Sequence, residues 1–139
     1  ENVPFVYEGV DEALRATASD PSVKIVKIDN PNGLGVATDP GLMAELFGPD
    51  FPGWAVEHAS IWETSAMQAA FPELVLQDLI ADGTPPQPFD YDVLPVPVNA
   101  APPSGIFWKA SQSSPEKGRK IIDSVVKGLL EVINKEFPG

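Results

Sequence analysis

The sequence predicts an α/β fold built around a sheet. Three observations carry this reading. An apolar pattern at helical spacing over residues 6–17 is followed at once by a β-branched run at 23–28. A long apolar stripe at helical spacing runs through the last third of the chain. The balance of 43% hydrophobic and 21% charged residues is that of a globular domain rather than a disordered tail.

The first helix is expected over 6–17. Val6, Val10, Ala13 and Leu14 share one face, with Glu8, Asp11, Glu12 and Arg15 elsewhere. Gly9 weakens it by roughly 1 kcal/mol relative to Ala. Asp20-Pro21 marks a turn. The run 23–28 reads as a strand, central in a sheet. A helix leading into such a strand places the start of the chain inside a βαβ unit, with the preceding strand supplied from elsewhere.

Residues 29–33 read as a loop. Asp39 caps a short helix with Pro40 in its first position and Gly48 as its stop. Residues 60–71 form the next helix, ended by Pro72, and 73–80 a second short apolar element. Seven of the chain's 16 prolines fall between residues 83 and 103, a segment expected to lie over a surface. Residues 106–108 form a brief extended patch. The final helix opens on Ser113-Ser114-Pro115-Glu116, with Glu116 as a capping-box partner. Ile121, Ile122, Val125, Val126, Leu129, Leu130 and Ile133 form its stripe.

A chain of 139 residues suffices for one domain, 1–139. A net charge of −11 repels phosphate backbones and argues against nucleic-acid binding. No run is long and apolar enough to span a bilayer. The absence of Cys removes disulfide, thiolate and zinc-finger chemistry, and fits a cytoplasmic location. With His58 as its one histidine, the chain needs carboxylates or another chain for any metal site.

Scarce residue types concentrate in Gly53-Trp54-Ala55-Val56-Glu57-His58-Ala59-Ser60-Ile61-Trp62-Glu63-Thr64-Ser65. A histidine between two carboxylates can act as a tuned general acid or base. Trp54 can wall a flat substrate or face a cationic one. The bland readings stand beside these. His58 can be a surface residue at a helix start, and Ser60 with Glu63 can be a capping box. No Gly-x-Ser-x-Gly elbow is present, so a serine hydrolase is not indicated.

This segment resembles the Gly-Trp-x-x-Glu-His-(Gly/Ala)-x-x-x-Glu-Thr-Ser motif of creatininase-type amidohydrolases. Phe71-Pro72-Glu73-Leu74-Val75, the proline-rich stretch 88–96 and Ser114-Pro115-Glu116-Lys117-Gly118 resemble later family blocks in the same order. The resemblance implies a three-layer α/β fold of creatininase type, with a mainly parallel sheet. The start, Glu1-Asn2, resembles the end of the family's metal-binding Asn-Gly-His-x-Glu-Asn turn. Glu1 would then be a metal ligand. The remaining ligands of a centre of two divalent ions (Zn, Mn or Fe) would sit on a separate N-terminal chain, with proteolytic processing as the expected origin of the break.

By the same resemblance, His58 is the catalytic proton-transfer residue, Trp54 a substrate-stacking wall, and Glu57 and Glu63 site-supporting carboxylates. The implied reaction is hydrolysis of a cyclic amide or imide C–N bond, in an oligomer of paired chains. One feature departs from the family: the stretch 29–33 lacks the aromatic residue that closes over creatinine, which points to a related ring amide. Two alternatives remain. One is a non-catalytic subunit that binds a metal or small molecule. The other is a hydrolase of a ring C–C or ester bond.

Overall fold

The computed structural model describes residues 3–28, 39–54, 57–85, 94–95, 97 and 100–139. Four α-helices span Val3–Ala16 (α1), Pro40–Phe47 (α2), Ile61–Ala70 (α3) and Pro115–Glu136 (α4). Single 3-10 turns at Pro72–Leu74, Gln77–Leu79 and Ala110–Gln112 join them.

α1 forms where the spacing predicts, with Gly9 inside it. Asp20 then accepts hydrogen bonds from the Ser22 N–H at 2.9 Å and the Ser22 hydroxyl at 2.6 Å, which closes the expected turn.

The strand expectation is corrected. Residues 23–28 carry no ladder, and no strand occurs among the described residues. β-branched residues favour an extended backbone, but a strand exists only when a neighbour accepts and donates its backbone hydrogen bonds. Likewise, 73–80 forms two isolated 3-10 turns that leave Leu74, Leu76 and Leu79 exposed. Most of the proline-rich stretch lies outside the described residues.

α2 matches its sequence signals closely. The Asp39 carboxylate accepts from the Leu42 N–H at 3.0 Å, Pro40 occupies the first turn, and Gly48 ends the helix at φ +76°. The cap of α4 falls within the expected Ser113-Ser114-Pro115-Glu116 segment. Ser114 accepts from the Lys117 N–H, at 3.1 Å. Pro115 fits the first helical position because it has no N–H to satisfy, and this makes Ser114 the cap. Glu116 then reaches Lys120 at 3.3 Å instead of folding back.

The core gathers Leu46 and Phe47 from α2, Ile61 and Trp62 from α3, Trp108, and Ile121 from α4. Burying a side chain such as Leu46 or Ile121 is worth about 1.5–3 kcal/mol. α3 and α4 approach closely because Gly118 has no side chain: a Cβ there would lie 1.9 Å from the Ser65 carbonyl oxygen. The Ser65 hydroxyl accepts from the Ser114 N–H at 3.1 Å at the same contact. Lys117 Nζ donates to the Leu46 carbonyl at 2.6 Å, tying α4 to the C-terminal end of α2.

Candidate active site at the start of helix α3

The turn before α3 is held by a dense set of bonds. Ala59 adopts φ +51°, a left-handed conformation uncommon for a residue with a Cβ. The turn puts the His58 carbonyl within reach of two donors, the Phe107 N–H at 3.1 Å and the Ser60 hydroxyl at 3.0 Å. Ser60 therefore does not cap α3 with its side chain. In place of the capping box that is one reading of Ser60 and Glu63, two carboxylates hold the turn. Glu57 accepts from the Trp62 N–H at 2.7 Å, and Glu63 accepts from the Ala59 N–H. Both sit where the helix N-terminus favours negative charge.

Glu57 is the more unusual of the pair. Its Oε2 is buried and has no hydrogen-bond partner among the described residues. Burial pushes its carboxyl up to about 7; the Trp62 and Glu63 backbone N–H groups oppose this, and the Glu63 charge adds to it. Glu57 is thus a proton-holding group near neutral pH. His58 is exposed, with Nδ1 3.6 Å from the Glu63 carboxylate and its ring edge-to-face with Phe107 at 4.8 Å. At 3.6 Å this is an ion-pair approach rather than a direct hydrogen bond. It orients Nδ1 toward Glu63 and leaves Nε2 on the opposite side of the ring.

Trp54 is partly exposed and anchored edge-on against Trp62 at 5.3 Å and against Phe47 and Phe51 at 5.5 Å. Its carbonyl accepts from the Glu57 N–H at 3.2 Å, which keeps the tryptophan beside the turn. Trp62 is core, as its helical position suggests. A cleft of about 450 Å³ opens on the other side of Ala59 and Glu63, lined by Thr64, Met67, Leu76 and Ile80 among others. Neither His58 nor Trp54 lines it.

The structure therefore brings together Glu57, His58 and Glu63 on one turn, with the Trp54 carbonyl on the Glu57 N–H and the Trp54 ring packed on Phe47, Phe51 and Trp62. Glu1 and the stretch 29–33 lie outside the described residues. Sequence reasoning missed Phe107, which holds both the backbone and the ring of His58. Its signal was the aromatic pair Phe107-Trp108, read only as an extended patch. Among the described residues no three His, Asp or Glu side chains converge to hold a metal ion. Glu57 and Glu63 are instead engaged by backbone N–H groups. No helix among the described residues is long and apolar enough to cross a membrane.

The chain is similar to known proteins over nearly its whole length. The family model described as "Creatininase: Creatinine amidohydrolase" matches residues 6–133. The creatinine amidohydrolase of Pseudomonas putida is 36% identical over 140 residues, covering 99% of this chain and 53% of that protein. A solved structure described as "Creatininase Mn" superposes with a TM-score of 0.88 at 35% identity, over 99% of this chain and 53% of that one. A mutant creatininase of "Zn-Zn type" gives the same TM-score and identity over 100% of this chain and 54% of its own. The chain thus spans about half the length of the relatives it matches, and it belongs to the creatininase family.

Proposed function

We propose that this chain is the C-terminal half of a metal-dependent hydrolase that opens a cyclic amide. It supplies the proton-transfer residue His58, the substrate wall Trp54, the carboxylates Glu57 and Glu63, and through Glu1 one metal ligand. The observation that carries this reading is the His58–Glu63 pair on a strained turn, in a chain of the creatininase family. Among the described residues no group of His, Asp and Glu converges on an ion, and the reading places most ligands of a two-ion centre on the other half of the fold. Manganese and zinc are the ions named for the related structures, and two divalent ions of this kind suit the proposed site.

His58 Nε2 delivers a proton to the leaving ring nitrogen, while Glu63 steadies the imidazolium from the Nδ1 side. Trp54 presents its ring as a flat wall and excludes water from one face of the substrate. The working protein is an assembly in which each such half is paired with an N-terminal half, and the pairs form an oligomer.

The test is turnover of five- and six-membered ring amides by the metal-loaded, two-half protein. His58→Ala is expected to lower kcat by about 10²–10⁴-fold with little change in KM. Unchanged turnover would remove His58 from the mechanism. Ring-amide binding without turnover in the wild type would make this chain a binding subunit instead.

A further inference from the structure

His58 is exposed, and an exposed imidazole turns between rotamers unless its neighbours restrict it. Two side chains restrict it here. Glu63 approaches Nδ1 at 3.6 Å, and the Phe107 ring meets the imidazole edge-to-face with 4.8 Å between centroids. The Phe107 N–H also donates to the His58 carbonyl at 3.1 Å. Glu63 is itself exposed, whereas Phe107 is half-buried and belongs to a segment pinned from two sides.

One side is the core, where Trp108 is buried with its ring centroid 5.4 Å from that of Phe51. The other side is the segment at Asp82 and Gly83. The Gly83 N–H donates to the Trp108 carbonyl at 2.8 Å, and the Asp82 carboxylate accepts from the Ser111 N–H at 2.8 Å. These bonds hold the chain just after Phe107. Gly83 also meets the chain just before it: a Cβ there would lie 1.6 Å from the Ile106 carbonyl oxygen and 2.3 Å from the carbonyl carbon. Backbone packs directly on backbone at this point, which is where glycine is required.

We propose that Gly83 and Asp82 are positioning residues for His58, acting through the one peptide unit that joins Ile106 to Phe107. A trans peptide is planar, with its C=O and N–H pointing opposite ways. Here the oxygen end lies against Gly83 and the N–H end holds the His58 carbonyl. A group that displaces the oxygen end moves the N–H end as well, and the Phe107 ring moves with its own backbone. Asp82 acts from the far side by fixing Ser111, so that the run from Ile106 to Ser111 cannot shift along Gly83. Neither residue takes part in proton transfer; they set where the imidazole stands. The effect on turnover rests on the reading of His58 as the proton-transfer residue, while the effect on the imidazole position does not.

His58 is the one histidine of the chain, so its imidazole protons give NMR signals that need no further assignment, and the neighbouring Phe107 ring shifts them. Gly83→Ala and Asp82→Ala are expected to move these signals toward the positions they take in Phe107→Ala. In the metal-loaded, two-half protein Gly83→Ala should lower kcat for a ring amide by about 10–100-fold with KM little changed, and Asp82→Ala should do so several-fold. Asp82→Asn keeps an oxygen for the Ser111 N–H and should restore both the signals and the rate. Asp39→Ala removes the cap of α2 and should lower the denaturation midpoint while leaving the His58 signals in place, which separates positioning from a general loss of stability. If Gly83→Ala does not fold, the Asp82 pair decides alone. Unmoved His58 signals in the folded variants overturn the proposal, and so does an equal displacement in Asp39→Ala. If the signals move as described but the wild type opens no ring amide, the positioning stands and the catalytic reading falls. If His58→Ala abolishes turnover while the Gly83 and Asp82 variants leave the signals in place, the reverse holds.

Discussion

The carboxylate of Glu57 accepts the Trp62 backbone N–H at 2.7 Å, so the helix that carries the core tryptophan is capped by the residue next to His58. One bond thereby couples the hydrophobic core to the turn that carries His58. Moving Glu57 disturbs both the entry angle of α3 and the position of His58.

The raised carboxyl of Glu57 predicts a pH dependence of stability. Its folded value is about 7, against an ordinary value of 4.5. Between these the folded state holds a proton that the unfolded state has lost. Stability is therefore highest below about pH 4.5 as far as this group is concerned, falls as pH rises toward 7, and is flat above. Discounted for partial exposure, the loss is about 2 kcal/mol. Glu57→Gln keeps an oxygen to accept the Trp62 N–H and should flatten that slope. Urea denaturation midpoints from pH 5 to 8, about the titration range expected for such a group, compare the two proteins.

Gly118→Ala should destabilise the chain even though alanine is the better helix former. The helix gain is about 1 kcal/mol. Against it stands a Cβ placed 1.9 Å from the Ser65 carbonyl oxygen and 2.7 Å from the Ala69 Cβ. Separating α3 from α4 costs roughly 1–3 kcal/mol or more, so the net effect is a lower denaturation midpoint. A midpoint equal to or above that of the wild type would show that the two helices can part cheaply.

Phe107→Ala should impair turnover more than folding. The ring at 4.8 Å steadies the His58 imidazole, while the backbone bond to the His58 carbonyl survives the substitution. An edge-to-face pair is worth about 0.5–1.5 kcal/mol, which corresponds to a fall of up to about tenfold in kcat/KM. Steady-state kinetics of the two-half protein measure it, with Phe107→Tyr expected to restore most of the rate.

Chelation should separate the two halves of the function. Zinc or manganese is expected to leave the melting temperature of this chain alone within about 1 °C, because its described residues offer no converging ligand set. The same ions, removed from the two-half protein, should abolish turnover. A strong metal-dependent rise in the melting temperature of the isolated chain would mean that it carries a complete ion site.

Much of the local structure was legible because its causes are local. Asp39, Pro40 and Gly48 bound α2 by capping and backbone geometry that act within a few residues. The stripe from Ile121 to Ile133 specifies α4 through its period. Where two local signals competed, the residues alone left the choice open: Ser113 and Ser114 both could cap, and Ser114, directly before Pro115, does. At the turn before α3 the expected serine cap lost to Glu57 and Glu63, because the left-handed Ala59 turns the Ser60 hydroxyl toward the His58 carbonyl.

By itself the sequence determined the family and the motif from Trp54 to Ser65, since these depend on residue type and spacing along the chain. Only the tertiary structure decided that Glu57 is buried enough to hold a proton near neutrality, that Phe107 is set against His58, and that residues 23–28 form no strand among the described residues. Burial and pairing are properties of neighbours distant in the chain. A β-branched run can favour extension, but no spacing within it can provide the strand on which it must close.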